Sequence, residues 1–232
     1  MTTDNIKTVC SLGTGTIGSS LAVVFAKAGY NVRMFGRSEE SIARGFNSIN
    51  EILKTLEEYN LINSTQNREI VSRIQGVTAM EEAAAGADFV IEAVSEDLAV
   101  KQNVFSALDK ICLPHTIFAS STSGISPSLI SSAVNRADRF IVTHFINPPH
   151  FMELVEIIPG RLTSPETIDT ALDLLEKIGK TPVLMKREAP GFIVNRLQMA
   201  LMREALYMVE QGYASVEAVD TAIKHISRRF SA

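Results

Sequence analysis

Apolar residues along the chain fall into short continuous runs, separated by stretches in which they recur every three or four positions. Thr8-Val9-Cys10-Ser11-Leu12 reads as a buried strand, and Leu21, Val24, Phe25 and Ala28 then recur at helical spacing until Gly29. Asn31 to Phe35 is a second strand. Ser38 or Glu39 opens a helix reaching about Asn60, with Ile42, Phe46, Ile49, Leu53 and Leu56 on one face, and a further helix runs near Thr65 to Ile74. Strands are predicted at Val77–Met80, Asp88–Val94, Thr116–Ala119, Arg139–Thr143, Leu154–Ile158 and Pro182–Met185. Between them lie a helix through Val104, Phe105, Leu108 and Ile111, and another capped by Ser164-Pro165-Glu166 and closed by Gly179. Strands alternating with helices predict an α/β fold with a doubly wound parallel sheet.

The pattern changes near residue 189. From there the chain reads as helix only, and 1–188 and 189–232 are expected to form two domains. Ile193 to Gln211 is rich in Leu, Met and Ala on most faces, which predicts burial on more than one side. Gly212 ends it, and Ser215 caps a last helix through Val216, Val219, Ala222 and Ile223.

Composition narrows the class. Hydrophobic residues are 46% and charged residues 21%, enough apolar content for a sizeable core. A net charge of −4 gives no basic footprint, so no nucleic-acid partner is expected. Two cysteines, Cys10 and Cys112, predict buried reduced thiols and a cytoplasmic setting. The sequence shows no secretory signal and no apolar run long enough for a bilayer span, so no membrane partner is expected. A small-molecule substrate is, and no metal site.

The candidate chemistry begins at Gly13-Thr14-Gly15-Thr16-Ile17-Gly18, set between the first strand and the first helix. In that context the glycines form a dinucleotide fingerprint. Gly13 allows the tight turn, Gly15 lets the backbone approach a pyrophosphate, and Gly18 lets helix and strand pack closely. The N–H groups at the helix start, those of Thr16 and Ile17 among them, attract phosphate charge. At the end of the second strand an NAD site usually carries an acid for the ribose 2′-hydroxyl. Here Gly36-Arg37-Ser38 stands instead, and Arg37 either chelates the 2′-phosphate of NADP or is a solvated arginine in a turn. Lys101 either reaches back over the strand ends or lies on an exposed helix face. Ser120-Ser121-Thr122-Ser123-Gly124 crowds hydroxyls at a strand end, for substrate or as a plain turn. Glu156 in mid-strand is expensive unless paired. His144 is its obvious partner, since a carboxylate fixes an imidazole's tautomer for acid–base work; the alternative is a core histidine and an unrelated glutamate. His115, His150 and His225 receive no role.

Taken in order, Gly13 to Gly18, Ile91-Glu92-Ala93-Val94-Ser95-Glu96, His144-Phe145-Ile146-Asn147-Pro148 with Leu154-Val155-Glu156, and Pro190-Gly191-Phe192-Ile193-Val194-Asn195-Arg196 resemble the L-3-hydroxyacyl-CoA dehydrogenase family. The resemblance covers almost the whole chain. It implies a Rossmann-type domain, a helical C-terminal domain and NAD(P)-dependent oxidation of a 3-hydroxyacyl-CoA. His144 and Glu156 become the catalytic dyad, Ser123 and Asn195 the substrate-side contacts, and Glu96, Lys101 and Asn147 cofactor-side residues. Three departures qualify this. Gly36-Arg37 replaces the usual acid, which leans the cofactor from NAD to NADP. Asn147-Pro148-Pro149 is similar to the branch acting on small free hydroxy acids such as gulonate and carnitine, and to the related lens crystallin. The chain stops where the family continues into further helices, so it reads as truncated. The apolar face of Ile193–Gln211 then predicts a homodimer, and a non-catalytic dinucleotide-binding protein is the rival class.

Overall fold

A computed structural model describes residues 3–229, dividing into two compact units after Pro190. The division falls two residues beyond the expected boundary.

The first unit is built on an eight-stranded sheet. Its strands are β1 (Thr8–Leu12), β2 (Asn31–Phe35), β3 (Ile74–Val77), β4 (Phe89–Glu92), β5 (Ile117–Ser120), β6 (Phe140–Phe145), β7 (Leu154–Pro159) and β8 (Thr181–Leu184). They lie in the order β3-β2-β1-β4-β5-β6-β7-β8, and every neighbouring pair is parallel except β6 and β7. The chain therefore crosses over between β1 and β4. Such a switch point opens a crevice at the carboxyl ends of the strands, where ligands bind in sheets of this kind.

The helices explain why the central strands read as continuous apolar runs, since both faces of a parallel sheet are covered. α1 (Thr16–Lys27) packs on the sheet beneath α2 (Glu39–Glu58) and α3 (Ser64–Ser72). Covered on both sides, α1 is buried at every residue from Gly18 to Ala26, more than its one-sided spacing predicts. Its serines find local partners: Ser19 Oγ donates to the Thr14 carbonyl at 3.2 Å. α2 carries the amphipathic stripe expected of it, with Ile42, Ile49, Leu53 and Leu56 buried, and begins with a capping box between Ser38 and Ser41.

One expectation needs correcting here. The third strand occupies Ile74–Val77 rather than Val77–Met80, because its parallel register against β2 pairs Val32 with Ile74 and Phe35 with Val77. Met80 instead opens a short helix, α4 (Met80–Ala84). The order continues with α5 (Leu98–Ile111), α6 (Pro127–Ser131) and α7 (Pro165–Lys177). Cys10 and Cys112 are both free and buried.

The second unit holds α8 (Val194–Glu210) and α9 (Val216–Arg229), turned by Gly212 at φ 70°. Here a further expectation fails: no residue of α8 is buried. Within its unit and among the described residues, α9 is the one helix packed on it, and one helix covers only a stripe. No helix among the described residues is long and apolar enough to cross a membrane.

The tightest contact of the first unit lies at the glycine turn. A Cβ on Gly18 would overlap the Gly13 carbonyl oxygen, a backbone atom that cannot swing aside. Gly18→Ala is expected to destabilise the protein by about 1–3 kcal/mol, the usual cost of overpacking. Urea unfolding checks this, and an unchanged midpoint would show that the turn relaxes freely.

Candidate active site

Three constellations stand at the carboxyl ends of β1, β4, β5 and β6. The first is the glycine turn. Gly13 has φ 119°, a conformation L side chains rarely adopt, and its N–H donates to the Phe35 carbonyl at 3.1 Å. An added Cβ would lie 2.6 Å from the Ala93 oxygen just past β4. At Gly15 nothing lies within 4 Å of an added Cβ. Gly15 is also the N-cap of α1 and offers no side chain to its first turn. The N–H groups of exposed Thr16 and half-buried Ile17 therefore start a helix whose dipole and donors suit a pyrophosphate. A cleft of about 420 Å³ runs from this turn, lined among others by Gly36, Arg37, Ser41, Arg44 and Val94. A closed turn, an open approach at Gly15 and an uncapped helix start together fit a dinucleotide.

The second constellation is a buried ionic network. Glu92 ends β4 at 0% exposure. Its Oε1 accepts from the Val94 N–H and from Lys101 Nζ, both at 2.7 Å, and its Oε2 accepts from Ser120 Oγ at 2.6 Å. Lys101 is 1% exposed and also reaches Glu96 Oε2 at 3.2 Å. Lys101 is thus neither on an exposed helix face nor open to solvent; two carboxylates hold it. Glu96 Oε1 accepts from Thr122 Oγ1 at 2.5 Å and from the Ser123 N–H at 3.0 Å. Burial works to raise the Glu96 carboxyl, but the Thr122 hydroxyl and the Lys101 ammonium outweigh it and hold it below the ordinary value. Glu92, Ser120 and Thr122 received no individual role from the sequence. The signal for Glu92 was the one that singled out Glu156, a carboxylate inside an apolar strand.

The third is the pair His144–Glu156. β6 and β7 are antiparallel, and their register sets the two residues directly opposite each other. His144 Nδ1 lies 2.7 Å from Glu156 Oε2, with both side chains buried. The turn through Asn147, Pro148 and Pro149 is what folds β7 back so that residues twelve apart meet. Asn147 itself is exposed just beyond β6. Asn195 belongs to the second unit, as the second residue of α8. Of the histidines without an assigned role, His115 sits 3.2 Å from Asp88, and His150 Nδ1 lies 2.8 Å from Ser20 Oγ.

Residues 8–189 match the family model described as 3-hydroxyacyl-CoA dehydrogenase, NAD binding domain, and 191–231 match the model described as 3-hydroxyacyl-CoA dehydrogenase, C-terminal domain. The chain belongs to the 3-hydroxyacyl-CoA dehydrogenase family. It is an oxidoreductase of that family acting on CH–OH, and its larger unit is an NAD-binding domain. A probable 3-hydroxybutyryl-CoA dehydrogenase of Bacillus subtilis is 39% identical over 219 residues, covering 94% of this chain and 76% of the relative. The human lambda-crystallin homolog is 36% identical, over 91% of this chain and 67% of its own length. The crystal structure of (S)-3-hydroxybutyryl-CoA dehydrogenase from Ralstonia eutropha superposes with a TM-score of 0.87 at 34% identity, covering 92% of this chain and 75% of that one.

The Glu96 carboxyl generates a pH prediction. A carboxyl held lower in the folded state adds stability above its unfolded value, and that stability is lost as pH falls through the folded value. The wild type should therefore be more stable than Glu96→Gln at pH 7, with the gap in Tm closing below about pH 4. A gap independent of pH would mean the network contributes through packing alone.

Proposed function

We propose that the protein catalyses the reversible oxidation of a (3S)-3-hydroxyacyl-CoA to the 3-oxoacyl-CoA, with NAD(H) as cofactor and NADP(H) used at least as well. The observation that carries this reading is the buried His144–Glu156 pair near the carboxyl end of β6, in a sheet that also holds a dinucleotide cleft. Bound nicotinamide supplies the hydride acceptor at C4. The chain supplies the proton chemistry. With the Nδ1 proton donated to Glu156, Nε2 of His144 holds the imidazole lone pair and takes the 3-hydroxyl proton as the C3 hydride departs. Glu156 fixes that tautomer and stabilises the imidazolium that forms. In the reverse direction the same nitrogen returns the proton. Their place in the family motifs supports Ser123 as a substrate-side contact of the first unit, and Asn195 as a substrate-side contact from the second.

A second reading, a free 3-hydroxy acid of the gulonate, carnitine or hydroxybutyrate type, has its own support. Between Ser38 and Ile74 the chain offers Arg44, Lys54, Arg68 and Arg73 against Glu39, Glu40, Glu51, Glu57, Glu58 and Glu69, a poor electrostatic match for the phosphates of CoA. The Asn147-Pro148-Pro149 turn favours it as well. Comparing KM for 3-hydroxybutyryl-CoA with that for free 3-hydroxybutyrate, carnitine and gulonate orders the two. His144→Ala should lower kcat by a factor on the order of 10² to 10⁴ with the best of these substrates. Glu156→Gln, which still packs, should act mainly on kcat. Near-normal turnover in His144→Ala would overturn the dyad, and absence of wild-type turnover with every one of these substrates would favour a non-catalytic dinucleotide-binding protein.

The second unit supports a homodimer. Leu197 is 66% exposed and Leu206 62%, and Met199, Leu201, Met202 and Tyr207 are exposed with them. At roughly 25 cal/mol per Å² of apolar area, leaving these side chains in water forgoes several kcal/mol. A second copy presenting the same face would cover them with two-fold symmetry. Sedimentation at micromolar concentration should give a dimer, and Leu197→Glu with Met202→Glu should dissociate it. A stable wild-type monomer would overturn the proposal.

A further inference from the structure

The adenosine end of the cleft differs from an NAD site in more than the absence of an acid. At Gly36, where the acid would stand, a Cβ would lie 2.5 Å from Ser41 Oγ, 2.8 Å from Ile42 Cδ1 and 2.9 Å from Thr14 Cγ2. That space is filled by groups with their own bonds. Ser41 Oγ donates to the Ser38 carbonyl at 2.7 Å and accepts from the Ser38 N–H at 3.1 Å, inside the capping box that starts α2. The local backbone is thus organised around the missing side chain, and no carboxylate is available from this position to grip a 2′-hydroxyl. What lines the cleft there instead is two guanidiniums, Arg37 from the turn and Arg44 from the second turn of α2.

Arg44 was not singled out by its place in the sequence. Its Nη1 lies 2.6 Å from Glu40 Oε1, one helical turn earlier, with the two side chains 62% and 83% exposed. An exposed ion pair of that spacing is weak. A phosphate dianion carries more charge than a carboxylate and presents pairs of acceptor oxygens that the planar guanidinium fork matches bidentately, so Arg44 can leave Glu40 for it. Glu40, like Glu39, then remains as a nearby negative charge that opposes the phosphate.

We propose that Gly36, Arg37 and Arg44 form a site for the 2′-phosphate of an adenosine nucleotide, with Glu40 as the competing anion that moderates it. The assignment rests on the dinucleotide reading of the cleft, and it adds the residues that choose between the two cofactors. Arg37 and Arg44 approach from separate elements, so the phosphate bridges the turn after β2 and the side of α2. Because both groups are exposed, their contribution is screened by salt.

Calorimetric binding of 2′,5′-ADP and of 5′-AMP to the full chain tests this without turnover. The wild type should bind 2′,5′-ADP at least tenfold more tightly than 5′-AMP, and the ratio should fall as salt rises. Arg37→Ala and Arg44→Ala should each bring the ratio towards one by weakening 2′,5′-ADP more than 5′-AMP, and Glu40→Gln should raise it. A wild-type ratio near one, or a ratio indifferent to both arginine substitutions, overturns the phosphate site while the dinucleotide cleft stands. Failure to bind either nucleotide overturns the cleft and the phosphate site together. Wild-type kcat/KM with NADP against NAD should follow the same order.

Discussion

The close approach of α1 to β1 at the glycine turn is the constraint on which the other features depend. Gly18 rests on the Gly13 carbonyl, and Gly13 in turn rests on the Ala93 carbonyl past β4. Two side-chain-free contacts in series thus lock the first helix, the first strand and the switch-point strand together. If either gap widened, the crevice between β1 and β4 would change shape, and the first turn of α1 would no longer face it. The same contacts explain why α1 is so deeply buried: a helix held this near the sheet leaves room for a second helical layer above it.

Charge buried on the strands is handled by one device used twice. Glu92 and Glu156 are both fully buried carboxylates on strands, a placement that costs heavily unless every oxygen is matched. Glu156 meets a histidine across an antiparallel pair. Glu92 meets a lysine from the following helix, a serine from the next strand and a backbone N–H, so it ties β4, β5 and α5 into one piece. Through Lys101 that piece extends to Glu96, which holds the backbone at Ser123. The backbone at Ser123 and the carboxyl end of β4 are therefore mechanically one unit.

The family assignment and the local chemistry carry different weights. Membership follows from the match over both units. The proposed substrate and cofactor preferences rest on a few positions, Gly36, Arg37 and Arg44 lining the cleft and the double proline that follows His144.

By itself the sequence determined the alternation of strands and helices, the glycine turn and the candidacy of His144 with Glu156. Each of these depends on local spacing: a period of two or 3.6, a glycine where a Cβ cannot fit, a carboxylate in an apolar run. Tertiary structure decided what spacing cannot carry. The third strand slid to Ile74 because its register belongs to β2 rather than to its own residues. Lys101, equally at home on a solvated helix face by sequence, is buried because Glu92 and Glu96 converge on it from a neighbouring strand and loop. Arg44 entered the nucleotide cleft because α2 starts where it does. The apolar richness of α8 led to the opposite error, predicted burial where the described residues leave exposure. Hydrophobicity states how much surface a helix should hide, and only the partners assembled around it decide whether it does.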